Sequence, residues 1–118
     1  MRIGEMVRRT GVSERLLRYY EEQGLLHPTR LPSGYRVYNE VDIDTVRSIR
    51  SLLASGLSTT IIAKILPCVS IDGPTLTPIC SDTITELQQE RERITHAINE
   101  LQASRTMLDT VIAAAPAT

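Results

Sequence analysis

The chain of 118 residues has no phenylalanine and no tryptophan, so its four tyrosines are its only aromatic residues. It also has only two cysteines, Cys68 and Cys80, which are too few for a disulfide-stapled scaffold. No apolar run approaches the roughly 20 residues that span a bilayer, and the N-terminus lacks the apolar stretch of a secretory signal. These absences argue against membrane-spanning and disulfide-rich classes and predict a cytoplasmic protein with no membrane partner.

The aromatic and basic residues are concentrated at one end of the chain. All four tyrosines lie within residues 1–38, together with seven arginines and four glutamates, which give this segment a net charge of +3. Residues 51–118 carry four basic and seven acidic residues, a net charge of -3. A basic head on an acidic body favours a polyanionic partner for the head. Ordinary charge scatter would give a similar balance, so charge alone does not distinguish a polyanion-binding head from an ordinary surface. The order of the predicted elements has to distinguish them.

The head begins with a pattern of two short helices. Apolar residues at i, i+3 and i+4 predict a helix over residues 4–10, which Gly11 ends. Ser13 is a favourable N-cap for a second helix over residues 14–23, which Gly24 ends. A helix, a tight glycine turn and a capped helix are typical of a helix-turn-helix motif.

A turn of proline, serine and glycine follows at residues 32–34, and the alternating run after it predicts a short β-hairpin, or wing, over residues 30–38. On the second helix, Tyr20 shares the predicted core face with Leu17, whereas Arg15, Arg18 and Tyr19 share another face. Tyr20 is therefore predicted to lie mainly in the core.

A helix-turn-helix with a basic hairpin beside it is an arrangement that reads DNA, with the second helix in the major groove. Arg15 is predicted to contact a base edge, because arginine matches guanine O6 and N7. Ser13 lies at a helix N-terminus, which attracts phosphate. Contacts to phosphate or sugar are predicted for Arg18, Tyr19, Arg36 and Tyr38. Any single arginine could instead be a solvated charge or pair with Glu14, Glu21 or Glu22.

The rest of the chain predicts two more helices, a connector and a long helix. The two helices are predicted over residues 40–55 and 58–66, and the first of them has a predicted buried stripe of Val41, Val46, Ile49, Leu52 and Leu53. Prolines and a glycine predict an irregular connector over residues 68–81. The predicted division is a DNA-binding domain over residues 1–67, this connector, and a dimerisation helix over residues 82–115.

The long predicted helix contains apolar residues at alternating steps of three and four, which is a heptad pattern. A helix of this length extends about 50 Å and needs a partner to cover its apolar side. Pairing with a second copy would cover all of it, whereas packing against the head of the same chain would cover only part. The predicted dimerisation residues, here named the C-terminal stripe, are Ile84, Leu87, Ile94, Ile98, Leu101, Leu108 and Ile112.

The segments IGEMVRRTGVSERLLRYYEEQGLL and SGYRVYNEVDIDTVRSIRSLLASGLS resemble the MerR family of bacterial transcriptional regulators. The resemblance covers nearly the whole chain. It implies a mostly α-helical winged helix-turn-helix protein whose long helices form an antiparallel coiled coil in a homodimer. The family pattern carries over to Ser13, Arg15, Leu17, Arg18, Tyr19, Tyr20, Arg36 and Tyr38. Leu16 stands where the family often has a small or hydroxyl residue, and either contacts a thymine methyl group or alters phosphate contacts.

The resemblance also implies partners and a mode of action. The implied partners are double-stranded promoter DNA, a second copy of the chain and RNA polymerase, in the nucleoid of the cytoplasm. The implied operator is near-palindromic and lies in a promoter spacer that is too long. Bending and untwisting the DNA then realigns the two promoter elements, which is a form of indirect readout. No cofactor is predicted, and the pattern identifies no effector.

The two cysteines allow more than one interpretation. Cys80 lies directly before the long helix, where metal-sensing members of the family place a thiolate ligand, and Cys68 lies at the other end of the connector. The pair could form a disulfide or bind a soft metal, which makes both residues candidates for a thiol sensor. The preferred interpretation is two small, half-buried residues that pack the connector against the helix, because no further metal ligand has suitable spacing.

Two other classes of protein compete with a dimeric regulator. An architectural DNA-bending factor of the excisionase type is the main alternative, although such factors are usually small and lack a long dimerisation helix. A pure interaction module that binds a foreign helix is the other. An enzyme is not predicted, because no nucleophile with a base, paired carboxylates or glycine-rich phosphate loop has useful spacing.

Overall fold

The computed structural model describes residues 1–117. It divides into two compact units, Met1–Thr83 and a second unit that begins at Ile84. The elements follow in the order α1 (Ile3–Thr10), α2 (Glu14–Glu22), β1 (Thr29–Arg30), β2 (Arg36–Val37), α3 (Glu40–Ala54), α4 (Thr59–Ile65), β3 (Val69–Asp72), β4 (Thr75–Pro78) and α5 (Ser81–Ala113), with a 3-10 turn over Leu66–Cys68. The predicted fold class, mostly α-helical with a winged helix-turn-helix, is confirmed.

The turn between α1 and α2 depends on a glycine and a serine. Gly11 has a φ of +72°, a left-handed conformation that favours glycine, and its N–H donates to the carbonyl of Val7 at 3.0 Å. The hydroxyl oxygen of Ser13 accepts from the N–H of Leu16 at 3.1 Å, so the predicted N-cap is confirmed. The two caps fix where α1 ends and α2 begins.

The core of the first unit is apolar and centres on side chains from α1, α2, α3 and α4. Val46 and Ile49 are buried as predicted, but Val41 is 56% exposed and Ile43 is buried in its place. The prediction for Val41 was wrong because it lies about 140° around the helix axis from Val46, whereas Ile43 lies about 60° from it. The fully buried large side chains are Tyr20, Tyr38, Met6, Leu17, Leu26, Ile49, Ile62, Ile65 and Val46.

The wing is a small antiparallel hairpin in which Arg30 pairs with Arg36. Its loop is closed by the N–H of Leu31, which donates to the carbonyl of Tyr35 at 2.9 Å. Beyond β2, the N–H of Tyr38 donates to the carbonyl of Met1 at 2.7 Å. The wing is therefore attached to the start of the chain by a main-chain hydrogen bond.

The connector predicted to be irregular is a second hairpin, which corrects the prediction for residues 68–81. Strands β3 and β4 pair antiparallel, with Val69 opposite Pro78 and Asp72 opposite Thr75. Gly73, with a φ of +56°, begins the two-residue turn between them. The prolines at 74 and 78 lie in the turn and at the end of a strand, where the missing N–H is tolerated. The prolines that suggested irregular structure are therefore compatible with a hairpin.

Helix α5 runs over 33 residues and accounts for the long helix predicted over residues 82–115. At 1.5 Å per residue it is about 50 Å long. No helix among residues 1–117 is both long enough and apolar enough to cross a membrane. The division of the chain into domains at residues 67 and 82 stays a prediction.

Candidate nucleic-acid interface

The exposed face of α2 carries the residues that the sequence predicted for DNA contact. Arg15, Leu16, Arg18 and Tyr19 are all exposed, with Leu16 at 38% and Tyr19 at 41%. They share this face because Leu17 and Tyr20, on the opposite side of the helix, are buried in the core. The four exposed side chains are here named the recognition face.

Arg15 and Arg18 differ in their partners. Arg18 donates to the carboxylate of Glu14, one turn earlier, at 2.6 Å, and both side chains are about half exposed. Exposed pairs of this kind contribute only a few tenths of a kcal/mol, so a phosphate can replace Glu14 at little cost. Arg15 makes no hydrogen bond or ion pair within residues 1–117, which leaves its guanidinium available to an incoming ligand.

Glu21 joins α2 to the wing. Its carboxylate accepts from Arg30 at 2.9 Å and, through the other oxygen, from the Nε–H of Arg36. The side chains of Glu21 and Arg36 are only 23% and 21% exposed. Burial would raise the pKa of the Glu21 carboxyl, but the hydrogen bonds from Arg36 and Arg30 outweigh it and lower this pKa. The same bond to Glu21 raises the pKa of Arg36.

Glu21 was not predicted as part of the site, although the sequence allowed it as a salt-bridge partner for an arginine. Its position on α2 did not mark it as the partner of the wing, since α2 carries three glutamates, Glu14, Glu21 and Glu22, with the same side-chain chemistry. Only the register of the wing shows that Arg30 and Arg36 lie opposite each other and so reach the same carboxylate. Arg36 is therefore positioned by Glu21.

Tyr38, which was predicted to contact DNA, belongs to the core, and so does Tyr20, which helical spacing placed mainly in the core although the family pattern included it among the DNA-binding residues. Tyr20 is 2% exposed and Tyr38 is 1% exposed, so neither side chain reaches the surface. Burial raises the pKa of both phenols. The hydroxyl of Tyr38 has no hydrogen-bond partner among the described residues. The core position that spacing predicted for Tyr20 is confirmed, and the family pattern's DNA contact is corrected for it. The predicted contact of Tyr38 is corrected too, because the alternation that placed it beside Arg36 did not show which face packs inward.

A groove between the start of α1, α2 and the wing was not predicted. It has a volume of about 740 Å³ and is open to solvent. The guanidinium of Arg2 lies over the ring of Tyr35, 4.5 Å from its centroid, at one side of this groove. The basic residues that line it are Arg2, Arg8, Arg18 and Arg36, and the acidic residues are Glu5 and Glu14. The excess of guanidinium groups over carboxylates suits a phosphate backbone.

The C-terminal stripe is largely uncovered in the single chain. Ile98 is 49% exposed and Leu101 is 70% exposed, and the exposure continues to Ile112, at 70%. Leu87 and Ile94 are half-buried. Met107 and Val111, each more than 60% exposed, widen the apolar surface beyond the residues that the heptad pattern selected. The second unit therefore presents an apolar surface along most of its length.

Cys68 and Cys80 form a disulfide, with their Cα atoms 5.3 Å apart. This corrects the preferred interpretation of two unbonded packing residues. Both residues are half-buried. The part of the chain that the structure describes has no group of three or more histidine, cysteine, aspartate or glutamate side chains that could hold a metal ion.

Comparison with known proteins places the chain among regulators. Residues 1–67 match the model of the MerR HTH family regulatory proteins. The heavy metal-dependent transcription regulator 2 of Rhizobium meliloti (strain 1021) is 40% identical over 67 residues, which are 56% of this chain and 46% of that relative. The regulator ZntR of Escherichia coli (strain K12) is 31% identical over 108 residues, or 91% of this chain and 74% of ZntR.

A solved structure agrees with this. The transcription regulator PbrR691 from Ralstonia metallidurans CH34, in complex with lead(II), superposes with a TM-score of 0.77 at 26% identity, over 100% of this chain and 90% of that one. The match to the Rhizobium meliloti relative spans about half of that protein's length. Since the family model covers more than half of the chain, and the fold and the recognition face agree with it, the chain belongs to the MerR family of DNA-binding helix-turn-helix transcription regulators.

Proposed function

We propose that the protein is a homodimeric transcriptional regulator that binds a near-palindromic operator within a promoter spacer. It then bends and untwists the DNA so that RNA polymerase can use the promoter. The observation that carries the proposal is the recognition face, which is exposed, arginine-bearing and next to a wing whose arginines are held in place. The site of action is the bacterial nucleoid, in the cytoplasm.

Each residue of the recognition face has a distinct role in this proposal. Arg15 enters the major groove and donates to guanine, since its guanidinium has no partner within residues 1–117. Leu16 contacts a thymine methyl group. Arg18 exchanges Glu14 for a phosphate, and Tyr19 donates to the DNA backbone. The main-chain N–H groups behind Ser13 face another phosphate at the start of α2.

The wing and the groove beside it bind the backbone without reading sequence. Arg36 remains attached to Glu21, so it presents its guanidinium to the DNA in a fixed position. Arg2 and Arg8 lie across the groove from the wing and neutralise further phosphates. Binding through several arginines releases counterions, and affinity should therefore fall steeply with salt.

The C-terminal stripe supports a homodimer with antiparallel long helices. An apolar surface that is about 50% to 70% exposed over several turns is costly to leave in water, and a second copy offers a matching surface. Two copies would place two recognition faces on successive turns of DNA, about 34 Å apart. An architectural excisionase-type factor has no use for such a stripe, which is the observation that favours the regulator.

The test combines oligomeric state with DNA protection. Sedimentation of the full chain should give a dimer. Footprinting on the DNA upstream of its own gene should show two protected half-sites one helical turn apart. A Leu101→Asp change places a charge in the middle of the stripe and should cost about 2 kcal/mol or more of dimer stability. The dimer Kd then rises about 30-fold and the footprint disappears.

Ala103→Asp is the matched control, because it adds the same charge two positions away, outside the stripe. This variant should sediment as a dimer and protect the operator. A Leu101→Asp protein that remains dimeric would refute the pairing surface. A wild-type protein that is monomeric and binds all DNA equally would refute the proposal as a whole.

A further inference from the structure

The Cys68–Cys80 disulfide closes the open end of the β3–β4 hairpin. Cys68 ends the turn that follows α4, and Cys80 directly precedes the first residue of α5. The N–H of Ile79 donates to the carbonyl of Cys68 at 2.9 Å, and the N–H of Thr83 donates to that of Cys80 at 3.2 Å. The bond therefore lies in the stretch of chain that leads from α4 into the long helix.

The hairpin also has main-chain hydrogen bonds of its own. The strands β3 and β4 are paired from Val69 opposite Pro78 to Asp72 opposite Thr75, and a main-chain bond from Ile79 continues the pairing to Cys68. Two thiols would remain close together after reduction, ready to bond again. Both cysteines are only half-buried, so neither residue is sealed inside the core away from small thiols and disulfides.

The redox state of the compartment disfavours a permanent disulfide. A regulator that acts on bacterial promoters works in the cytoplasm, where glutathione and thioredoxin keep thiols reduced. Disulfides in that compartment are usually transient and belong to redox chemistry or redox sensing. This step rests on the proposed function, since it takes the location from it.

We propose that Cys68 and Cys80 form a reversible thiol–disulfide site that regulates operator binding. The disulfide fixes the segment before α5 and so lowers the ordering cost of binding two half-sites, whereas the reduced segment has more freedom to lose. The oxidised form therefore binds the operator more tightly than the reduced form.

The chemistry is thiol–disulfide exchange with a cellular dithiol. A thiolate of the dithiol attacks one cysteine sulfur, the S–S bond breaks, and the other cysteine leaves as a thiolate that takes up a proton. The second thiol of the dithiol then attacks the mixed disulfide, forms the dithiol's own disulfide and releases the remaining cysteine. The protein gains two electrons and two protons, and the dithiol loses them.

The first experiment needs no DNA. The full chain is equilibrated in glutathione buffers of increasing oxidised fraction, and free thiols are trapped with a maleimide reagent and counted by mass. We expect both thiols to appear together and reversibly, with α1–α4 unchanged in hydrogen exchange and with faster exchange of the amides of residues 69–79 on reduction. A bond that resists excess reduced glutathione, or that fails to form again, overturns the proposal.

The second experiment measures operator affinity of the two forms under the same salt. The reduced protein and a Cys68→Ser, Cys80→Ser variant should bind about fivefold more weakly than the oxidised protein. The variant should not respond to glutathione at all. Equal affinities of the oxidised and reduced forms, or a variant that still responds, would overturn the regulatory role. The thiol count does not depend on DNA. If the protein binds no operator but its two thiols still respond reversibly to glutathione, the proposed function fails while the reversible disulfide is retained.

Discussion

Replacing Glu21 with glutamine tests whether this residue positions the wing. The glutamine has nearly the same shape and keeps one oxygen that can accept a hydrogen bond, but it loses the charge that holds two arginines. The half-buried bond to Arg36 is a charge-assisted hydrogen bond, and such bonds contribute about 1.5–3 kcal/mol. The bond to Arg30, whose side chain is 52% exposed, contributes about 0.5 kcal/mol.

The glutamine retains part of the first contribution, so we expect Glu21→Gln to lower the free energy of unfolding by about 1–2 kcal/mol. In a unit of this size each kcal/mol lowers Tm by about 4–8 °C. Glu22→Gln is the matched control, because Glu22 is the next residue, carries the same charge and is exposed, with no bond to the wing among residues 1–117. It should shift Tm by far less than Glu21→Gln does.

The effect should also depend on pH. The pKa of Glu21 is lowered in the folded protein, so its stabilisation is complete above the unfolded pKa of about 4.3 and is lost as pH falls through the folded pKa. Thermal unfolding of both variants and the wild type from pH 7 to pH 3 measures this. The gap between wild type and Glu21→Gln should narrow below about pH 4. Equal Tm values for the two variants at pH 7 would show that Glu21 does not hold the wing.

Two further substitutions separate residues that read DNA from residues that support the fold. Arg15→Ala should reduce the preference for the operator over random DNA by about 1–3 kcal/mol in a binding assay. Arg50 is an exposed arginine on α3, and Arg50→Ala should leave this preference unchanged. An equal loss of affinity for all sequences would make Arg15 a phosphate contact. Tyr38→Phe removes a buried hydroxyl that has no partner among the described residues, so unfolding should show unchanged stability or a gain of up to about 1 kcal/mol, with operator affinity intact. Weaker operator binding by Tyr38→Phe would instead restore the predicted DNA contact.

The sequence was sufficient for the helix-turn-helix because its signals are local. The turn at Gly11, the cap at Ser13 and the break at Gly24 act within a few residues, and each lies where the structure has it. The exposed side of α2 followed from helical spacing, since burial of Leu17 and Tyr20 leaves Arg15 and Tyr19 outside. Local patterns therefore predicted the helix-turn-helix and one face of the site.

The remaining features depend on contacts between distant residues. Tyr38 lies directly after β2 and is buried, and its N–H donates to the carbonyl of the first residue of the chain, which no local alternation shows. Glu21 acquires its role only when the wing brings two arginines to it. The β3–β4 hairpin was missed because its prolines resemble those of a loop, although they occupy positions where a hairpin tolerates them.

The order of residues along α5 has a consequence for how two chains would communicate. Ile98 is the midpoint of the sequence pattern, since Ile84 and Ile112 stand fourteen positions to either side of it. If the twofold axis of the antiparallel dimer proposed above passed through Ile98, the beginning of each long helix would lie beside the last turns of the other. A chemical change at Cys80 of one protomer would then act first on the last turns of α5 in its partner.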